Sequence, residues 1–226
     1  MKVGAIIPAA GRGKRIGASV PKQFLEIQGE PLLHHTLTVF ACCKLIDYVV
    51  LVMPQADVDK VGKDWLNKYE IVREVVVGGE QRQDSVYNGF NSLERKTDIV
   101  VVHDGVRPFA TPQMITATVE GAQQHGAAIT AIPVNDTIKQ AIDGFVKQTV
   151  SRDGLWRVQT PQAFQYGLLQ QAFKKAKEDS YYGTDEGALI EYLGERVKIV
   201  PGSELNIKIT RKEDLALGES LLSRAK

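Results

Sequence analysis

Short apolar runs rich in β-branched residues recur along this chain, separated by longer segments whose apolar positions return at helical spacing. Val3–Pro8, Tyr48–Met53, Ile71–Val77, Ile99–Val102 and Ala127–Pro133 predict buried strands. Between them, Pro31–Cys43, Asp57–Lys68, Asp84–Leu93 and Pro112–His125 predict amphipathic helices, with Pro31 as a first helical residue. Strands alternating with helices specify an α/β protein with a doubly wound, mainly parallel sheet. Such sheets bind ligands beyond the carboxyl ends of their strands.

The pattern changes after Val134. Thr137–Ala141 and Phe145–Val150 flank Asp143-Gly144, a dipeptide suited to a tight hairpin turn. A lone two-stranded ribbon is barely stable in water, so residues 135–157 read as an arm that packs on the body or on another chain. Trp156 and Thr160-Pro161-Gln162 read as core followed by a turn. Gly167–Lys177 predicts a helix, and Thr184-Asp185-Glu186 caps the next one with acids in its first turn. Val197–Val200 and Ile207–Thr210 predict strands, and Lys212–Ser223 a closing helix.

A length of 226 residues, 43% hydrophobic and 24% charged, fits one domain spanning 1–226 together with its arm. The net charge of +1 argues against a general nucleic-acid binder, which is usually strongly basic. No apolar stretch reaches about eighteen residues and no signal-peptide pattern is present, so the expectation is a cytoplasmic protein without a membrane partner. Cys42 and Cys43 are neighbours, poorly placed for a disulfide or a metal knuckle, and read as small core or near-core residues. His34 and His35 are adjacent on a predicted helix and point in different directions, so they form no metal pair.

The densest chemistry follows the first strand. Pro8-Ala9-Ala10-Gly11-Arg12-Gly13-Lys14-Arg15 leads, after a short gap, to Pro21-Lys22-Gln23. A small-residue loop at a strand end lets backbone N–H groups approach an anion. Arg12, Lys14, Arg15 and Lys22 add four cations, which suits a polyphosphate such as a nucleoside triphosphate. It is not a P-loop, because Gly13-Lys14 is followed by Arg15 rather than a hydroxyl residue. It is not a dinucleotide fingerprint, because Gly11, Gly13 and Gly17 are spaced G-x-G-x-x-x-G.

Other candidates are individually ambiguous. Asp104, at a predicted strand end beside Arg107, suits a metal, a substrate hydroxyl or a plain ion pair. Gly78-Gly79-Glu80-Gln81-Arg82-Gln83-Asp84-Ser85 suits either a base and ribose or a capped turn with solvated charges. Lys208 in Asn206-Ile207-Lys208-Ile209 suits an outward-facing strand lysine.

Taken in order, PAAGRGKRIGASVPKQFLEIQG, GGEQRQDSVYNG, VHDGVRPF, PVNDTIK, SRDGLWRVQTPQAF, GTDEGALIE and NIKIT resemble the 2-C-methyl-D-erythritol 4-phosphate cytidylyltransferases over essentially the whole chain. The resemblance implies a Rossmann-like nucleotidyltransferase fold and transfer of a cytidylyl group from CTP to a polyol phosphate, with pyrophosphate released and Mg²⁺ required. It implies Arg15 and Lys22 as the catalytic cations, with Ala9, Ala10, Gly11, Gly13, Lys14, Gly79, Glu80, Arg82 and Ser85 around the nucleotide. Asp104, Arg107, Thr137, Arg152, Thr160, Thr184 and Lys208 fall to the polyol phosphate. The Mg²⁺ would be held mainly by CTP phosphates rather than by dedicated protein ligands. A homodimer is implied through the arm, with Thr137 and Arg152 serving the neighbouring site. Glu80 stands where the family often has Asp, which leaves the ribose contact open. Ribitol 5-phosphate cytidylyltransferase is the nearest alternative. A sugar-1-phosphate nucleotidyltransferase using UTP or dTTP, and a nucleotide-binding regulator without turnover, are more distant ones.

Overall fold

A computed structural model describes residues 1–11, 21–58 and 68–224. Seven strands form one sheet: β1 (Val3–Pro8), β4 (Tyr48–Met53), β5 (Val72–Val77), β6 (Ile99–Val102), β7 (Ala127–Pro133), β10 (Trp156–Gln165) and β11 (Lys198–Pro201). Their order is β11-β7-β10-β6-β1-β4-β5, parallel throughout except for β10, which runs antiparallel to both neighbours. Two short strands, β2 (Glu26–Ile27) and β3 (Glu30–Pro31), form a small hairpin, and β8 (Ile138–Ile142) with β9 (Phe145–Val150) forms the arm.

The apolar runs explain the layering. Side chains alternate across a strand, so a strand buried on both faces feeds two cores. In β4, Val49, Leu51 and Met53 join one cluster while Tyr48, Val50 and Val52 join the other. The first cluster takes Leu33, Leu37 and Phe40 from α1 (Leu32–Ala41) and Ile115 and Val119 from α3 (Pro112–His125). The second takes Val86 and Phe90 from α2 (Arg82–Asn91), Leu169 and Phe173 from α4 (Tyr166–Glu178), and Leu189 and Ile190 from α5 (Glu186–Leu193). The closing helix α6 (Lys212–Arg224) covers a smaller cluster built on Ile27, Leu32, Val106 and Ile209.

Most predicted elements match in type and nearly in extent. β10 departs from the expected core plus turn; Thr160, Pro161 and the glutamines disguise it, yet it lies mid-sheet. Its pairing with β7 slips between Val158 and Gln162. Ile207–Thr210 is not a strand but an extended segment, anchored where the Ile209 N–H donates to the Val106 carbonyl at 2.9 Å. Pro31 precedes the helix as its cap residue. Cys43 is buried, but Cys42 is exposed, because it follows the last helical turn. Most of the predicted Asp57–Lys68 helix lies outside the described residues. His34 Nδ1 meets the Tyr69 hydroxyl and His35 Nε2 donates to the Ile27 carbonyl at 2.9 Å, so each ring is used locally.

The arm turns through Asp143 (φ 50°) and Gly144 (φ 82°), the two left-handed residues of a tight hairpin. Its base is closed by the Val134 N–H donating to the Leu155 carbonyl at 3.0 Å. Phe145 is 80% exposed, with Ile142, Val146, Trp156 and Val158 also exposed. Among the described residues, no helix is long and apolar enough to cross a membrane.

Candidate active site

The carboxyl ends of β1, β5 and β6 meet at one edge of the sheet, where a cleft of about 190 Å³ opens. Ala9, Ala10 and Gly11 form one wall, Gly79 to Arg82 and Ser85 the opposite one, and Asp104 and Lys208 the floor; Lys22 also lines it. The first loop is tied down by the Ala9 N–H donating to the Val52 carbonyl at 2.7 Å. Gly78 lets the second loop close on it: a Cβ there would lie 2.5 Å from the Ala10 Cβ and 2.9 Å from Ser85 Oγ. Lys22 reaches over the first loop, its Cε 3.2 Å and Nζ 3.5 Å from where a Gly11 Cβ would stand.

Ser85 shapes this wall rather than pointing out of it. Its hydroxyl accepts from the Gly79 N–H at 3.1 Å and donates to the Gln81 carbonyl at 3.1 Å. The Gln81 N–H donates to Asp84 Oδ2 at 3.0 Å at the start of α2, and Gln81 and Arg82 bring the positive end of that helix to the cleft. Glu80 is exposed at the rim.

A second cleft of about 250 Å³ lies beside the first, lined by Arg107, Gln159, Thr160, Gln162, Thr184 and Asp185. Arg82, Asp104 and Lys208 line both clefts. Asp104 is therefore the hinge of the arrangement. Its Oδ2 takes Lys208 Nζ at 2.9 Å and Arg107 Nε at 3.2 Å, while Arg82 Nε lies 3.6 Å from Oδ1. Burial alone would raise this carboxyl, but Lys208, Arg82 and Arg107 outweigh it and hold the group well below the usual carboxylate range. Asp104 thus stays ionised.

Each cation is itself anchored. Arg107 Nη1 donates to the Asn206 carbonyl at 2.8 Å, which fixes the segment carrying Lys208. Asn206 is fully buried and donates to the Thr160 carbonyl at 2.9 Å. Because β10 is antiparallel to β6, Thr160 arrives at the end of β6, and its hydroxyl accepts from the Asp104 N–H at 3.1 Å. Arg82 Nη1 donates to Glu186 Oε1 at 2.8 Å. Burial disfavours the Arg82 charge, but Glu186 and Asp104 reverse this and raise its pKa. His103, fully buried against Phe40, donates from Nε2 to the Arg107 carbonyl at 3.0 Å. Burial lowers its pKa to about 4, so the ring is neutral at pH 7.

Of the residues expected around the nucleotide, Ala9, Ala10, Gly11, Gly79, Glu80, Arg82 and Ser85 line the first cleft, with Lys22. Gly13, Lys14 and Arg15 lie outside the described residues. Asp104, Arg107, Thr160, Thr184 and Lys208 gather at the second cleft. Thr137 and Arg152 do not line either cleft; both are exposed at the arm, where Arg152 donates to the Asn135 carbonyl. Sequence reasoning missed Gln162, Asn206 and the role of Glu186. The expectation of an acid in a helix first turn understates Glu186, which is 1% exposed and paired to Arg82. Asp185 does the capping, accepting from the Ala188 N–H at 2.9 Å.

The family model described as IspD, 2-C-methyl-D-erythritol 4-phosphate cytidylyltransferase, matches residues 3–224. The chain belongs to this family. A Syntrophus aciditrophicus cytidylyltransferase of that name is 46% identical over 226 residues, covering 99% of this chain and 97% of that protein. The crystal structure of 4-diphosphocytidyl-2C-methyl-D-erythritol synthase from Anaerococcus prevotii superposes with a TM-score of 0.86 at 35% identity, covering 98% of each chain. The cytidylyltransferase of Thermus thermophilus superposes with a TM-score of 0.84 at 31% identity, covering 99% of this chain and all of that one. The fold shared with these IspD structures is the mixed α/β sheet with helices on both faces.

Proposed function

We propose that this IspD-family chain transfers the cytidylyl group of CTP to 2-C-methyl-D-erythritol 4-phosphate, releasing pyrophosphate. The observation that carries this reading is the pair of adjoining clefts sharing Arg82, Asp104 and Lys208. One cleft has a small-residue loop, a helix start and a lysine suited to a nucleotide; the other has hydroxyl and charged groups suited to a phosphorylated polyol.

CTP lies with its base and ribose between the first loop and Gly79–Ser85, and its triphosphate beneath Lys22. The polyol phosphate occupies the second cleft, with a hydroxyl on Asp104 and its phosphate toward Lys208. A phosphate oxygen of the polyol attacks the α-phosphorus in line, the bond to the β-phosphate breaks, and pyrophosphate departs. The attacking oxygen is already ionised, so no side chain has to remove a proton. Lys22 and Arg15 instead stabilise the charge that grows on the non-bridging oxygens and leaving group.

The donor set bears on Mg²⁺. Among the described residues no group of three or more His, Cys, Asp or Glu side chains is arranged to hold a metal. Asp104, the buried carboxylate of the clefts, is turned toward three cations. These residues fit an ion carried by the triphosphate and water. When bound, that ion neutralises phosphate charge.

The exposed apolar residues of the arm support a homodimer in which Thr137 and Arg152 reach the neighbouring polyol cleft. Pyrophosphate release measured with CTP plus methylerythritol phosphate, against CTP plus ribitol 5-phosphate, tests the reading. Release with the first substrate alone is expected. Release only with ribitol 5-phosphate, or with neither, overturns it.

A further inference from the structure

We propose that Glu186 is a positioning residue: it draws the Arg82 guanidinium aside and so keeps Asp104 Oδ1 open for a substrate hydroxyl. The proposal rests on the reading of Asp104 as the polyol hydroxyl acceptor. Three carboxylates act on Arg82: Glu186, Asp104 and Asp185. Asp185 is already committed, with Oδ1 accepting from the Ala188 N–H at 2.9 Å and Oδ2 from Gln162 Nε2 at 2.8 Å. Asp104 Oδ2 is likewise filled by Lys208 and Arg107. That leaves Asp104 Oδ1, which accepts no hydrogen bond among the described residues; Arg82 Nε lies 3.6 Å from it, beyond hydrogen-bond reach.

What holds Arg82 at that distance is Glu186. The 2.8 Å contact to Nη1 is the hydrogen bond that the guanidinium makes among the described residues. Glu186 is 1% exposed, and its other oxygen, Oε2, is buried without a hydrogen-bond partner among them. Gln162 Oε1 accepts from the Gly187 N–H at 3.2 Å, which ties the turn that carries Glu186 to β10. A buried carboxylate with an unmet oxygen is costly to keep for packing alone. Here it competes with Asp104 for one guanidinium. If Glu186 loses its charge, Asp104 Oδ1 becomes the open carboxylate oxygen within a short swing of Arg82, and an arginine bonded there blocks the polyol.

Steady-state kinetics of Glu186→Gln, varying one substrate at a time, test this. The KM for methylerythritol phosphate is expected to rise about tenfold, with the KM for CTP within about twofold of the parent. An unchanged polyol KM, or a CTP KM that rises in proportion, overturns the proposal. In an Arg82→Gln background the same substitution is expected to add nothing, since Glu186 acts through Arg82; a full additional rise overturns it. Should Glu186→Gln not fold, Glu186→Asp keeps the charge one methylene further back, and a smaller, polyol-selective rise is expected. An unselective rise, or none, overturns the assignment. Asp104→Asn separates the two layers of the argument. If it leaves the polyol KM unchanged, the reading of Asp104 fails. If it raises that KM while both Glu186 variants leave it unchanged, the assignment of Glu186 alone fails.

Discussion

Arg107 Nη1 donates to the carbonyl oxygen of Asn206, ninety-nine residues further along the chain, at 2.8 Å. Through that bond the residue that pins Asp104 also positions the strandless segment carrying Lys208. Arg107→Ala is expected to leave a buried carboxylate short of one partner and a carbonyl unmet. With Lys208 still on Asp104, the loss is about 1–3 kcal/mol of stability, read as a fall in the urea midpoint at constant slope. Arg107→Lys restores charge but not the fork, and should recover only part of it.

Lys22 stands over the Gly11 loop at the mouth of the first cleft, away from the main cores. Lys22→Ala is expected to lower kcat by on the order of a hundredfold while the thermal midpoint hardly moves. Arg15→Ala should behave alike. Single-turnover rates together with differential scanning calorimetry check both halves of this expectation.

His103 makes stability depend on pH. Its folded pKa is lowered to about 4 from 6.5, chiefly by burial, so the unfolded chain takes up the proton first as pH falls. Stability is full above the unfolded value and is lost from pH 6.5 down to about 4, to the extent of on the order of 3 kcal/mol. Glu186, raised by burial, acts with the opposite sign, so the parent profile alone does not isolate His103. His103→Gln retains a donor for the Arg107 carbonyl and removes the titration. Urea midpoints of the two proteins at several pH values should converge in acid.

The arm carries its own test. Arg152→Ala should weaken use of the polyol phosphate and leave CTP binding intact, although Arg152 lies outside both clefts of its own chain. Mixed oligomers of Arg152→Ala and Lys22→Ala subunits are expected to recover activity, because one site in each dimer then combines an intact Lys22 with an intact Arg152. Absence of recovery on mixing would show that each chain completes its own site.

Much of the fold was legible because burial on two faces demands uninterrupted apolar runs. Val3–Pro8, Tyr48–Met53, Ile99–Val102 and Ala127–Pro133 are such runs, and the strands have those bounds. β10 escaped because it is central yet polar: Gln159, Thr160 and Gln162 are buried there, satisfied by Asn206, Asp104 and Asp185 rather than by solvent. No periodicity separates a buried glutamine with a partner from an exposed one. Ile207–Thr210 misled in the opposite sense, since its alternation reflects Ile209 reaching a core and Lys208 reaching Asp104. Within the described residues, the order of segments brought Ala9, Gly79, Arg82, Asp104 and Lys208 to the clefts, whereas Thr137 and Arg152 line neither. Glu186 was visible only as an acid near a helix start, because its partner lies 104 positions away.

Under the proposed reading, the wall of Arg82, Asp104 and Lys208 common to the two clefts couples their occupants. A ligand that drew Lys208 toward its own phosphate would loosen the 2.9 Å contact to Asp104 Oδ2, and so alter the field met by a ligand on the other side. If nucleotide and polyol are those occupants, thermodynamic reciprocity requires that each change the other's affinity by the same factor, whichever arrives first.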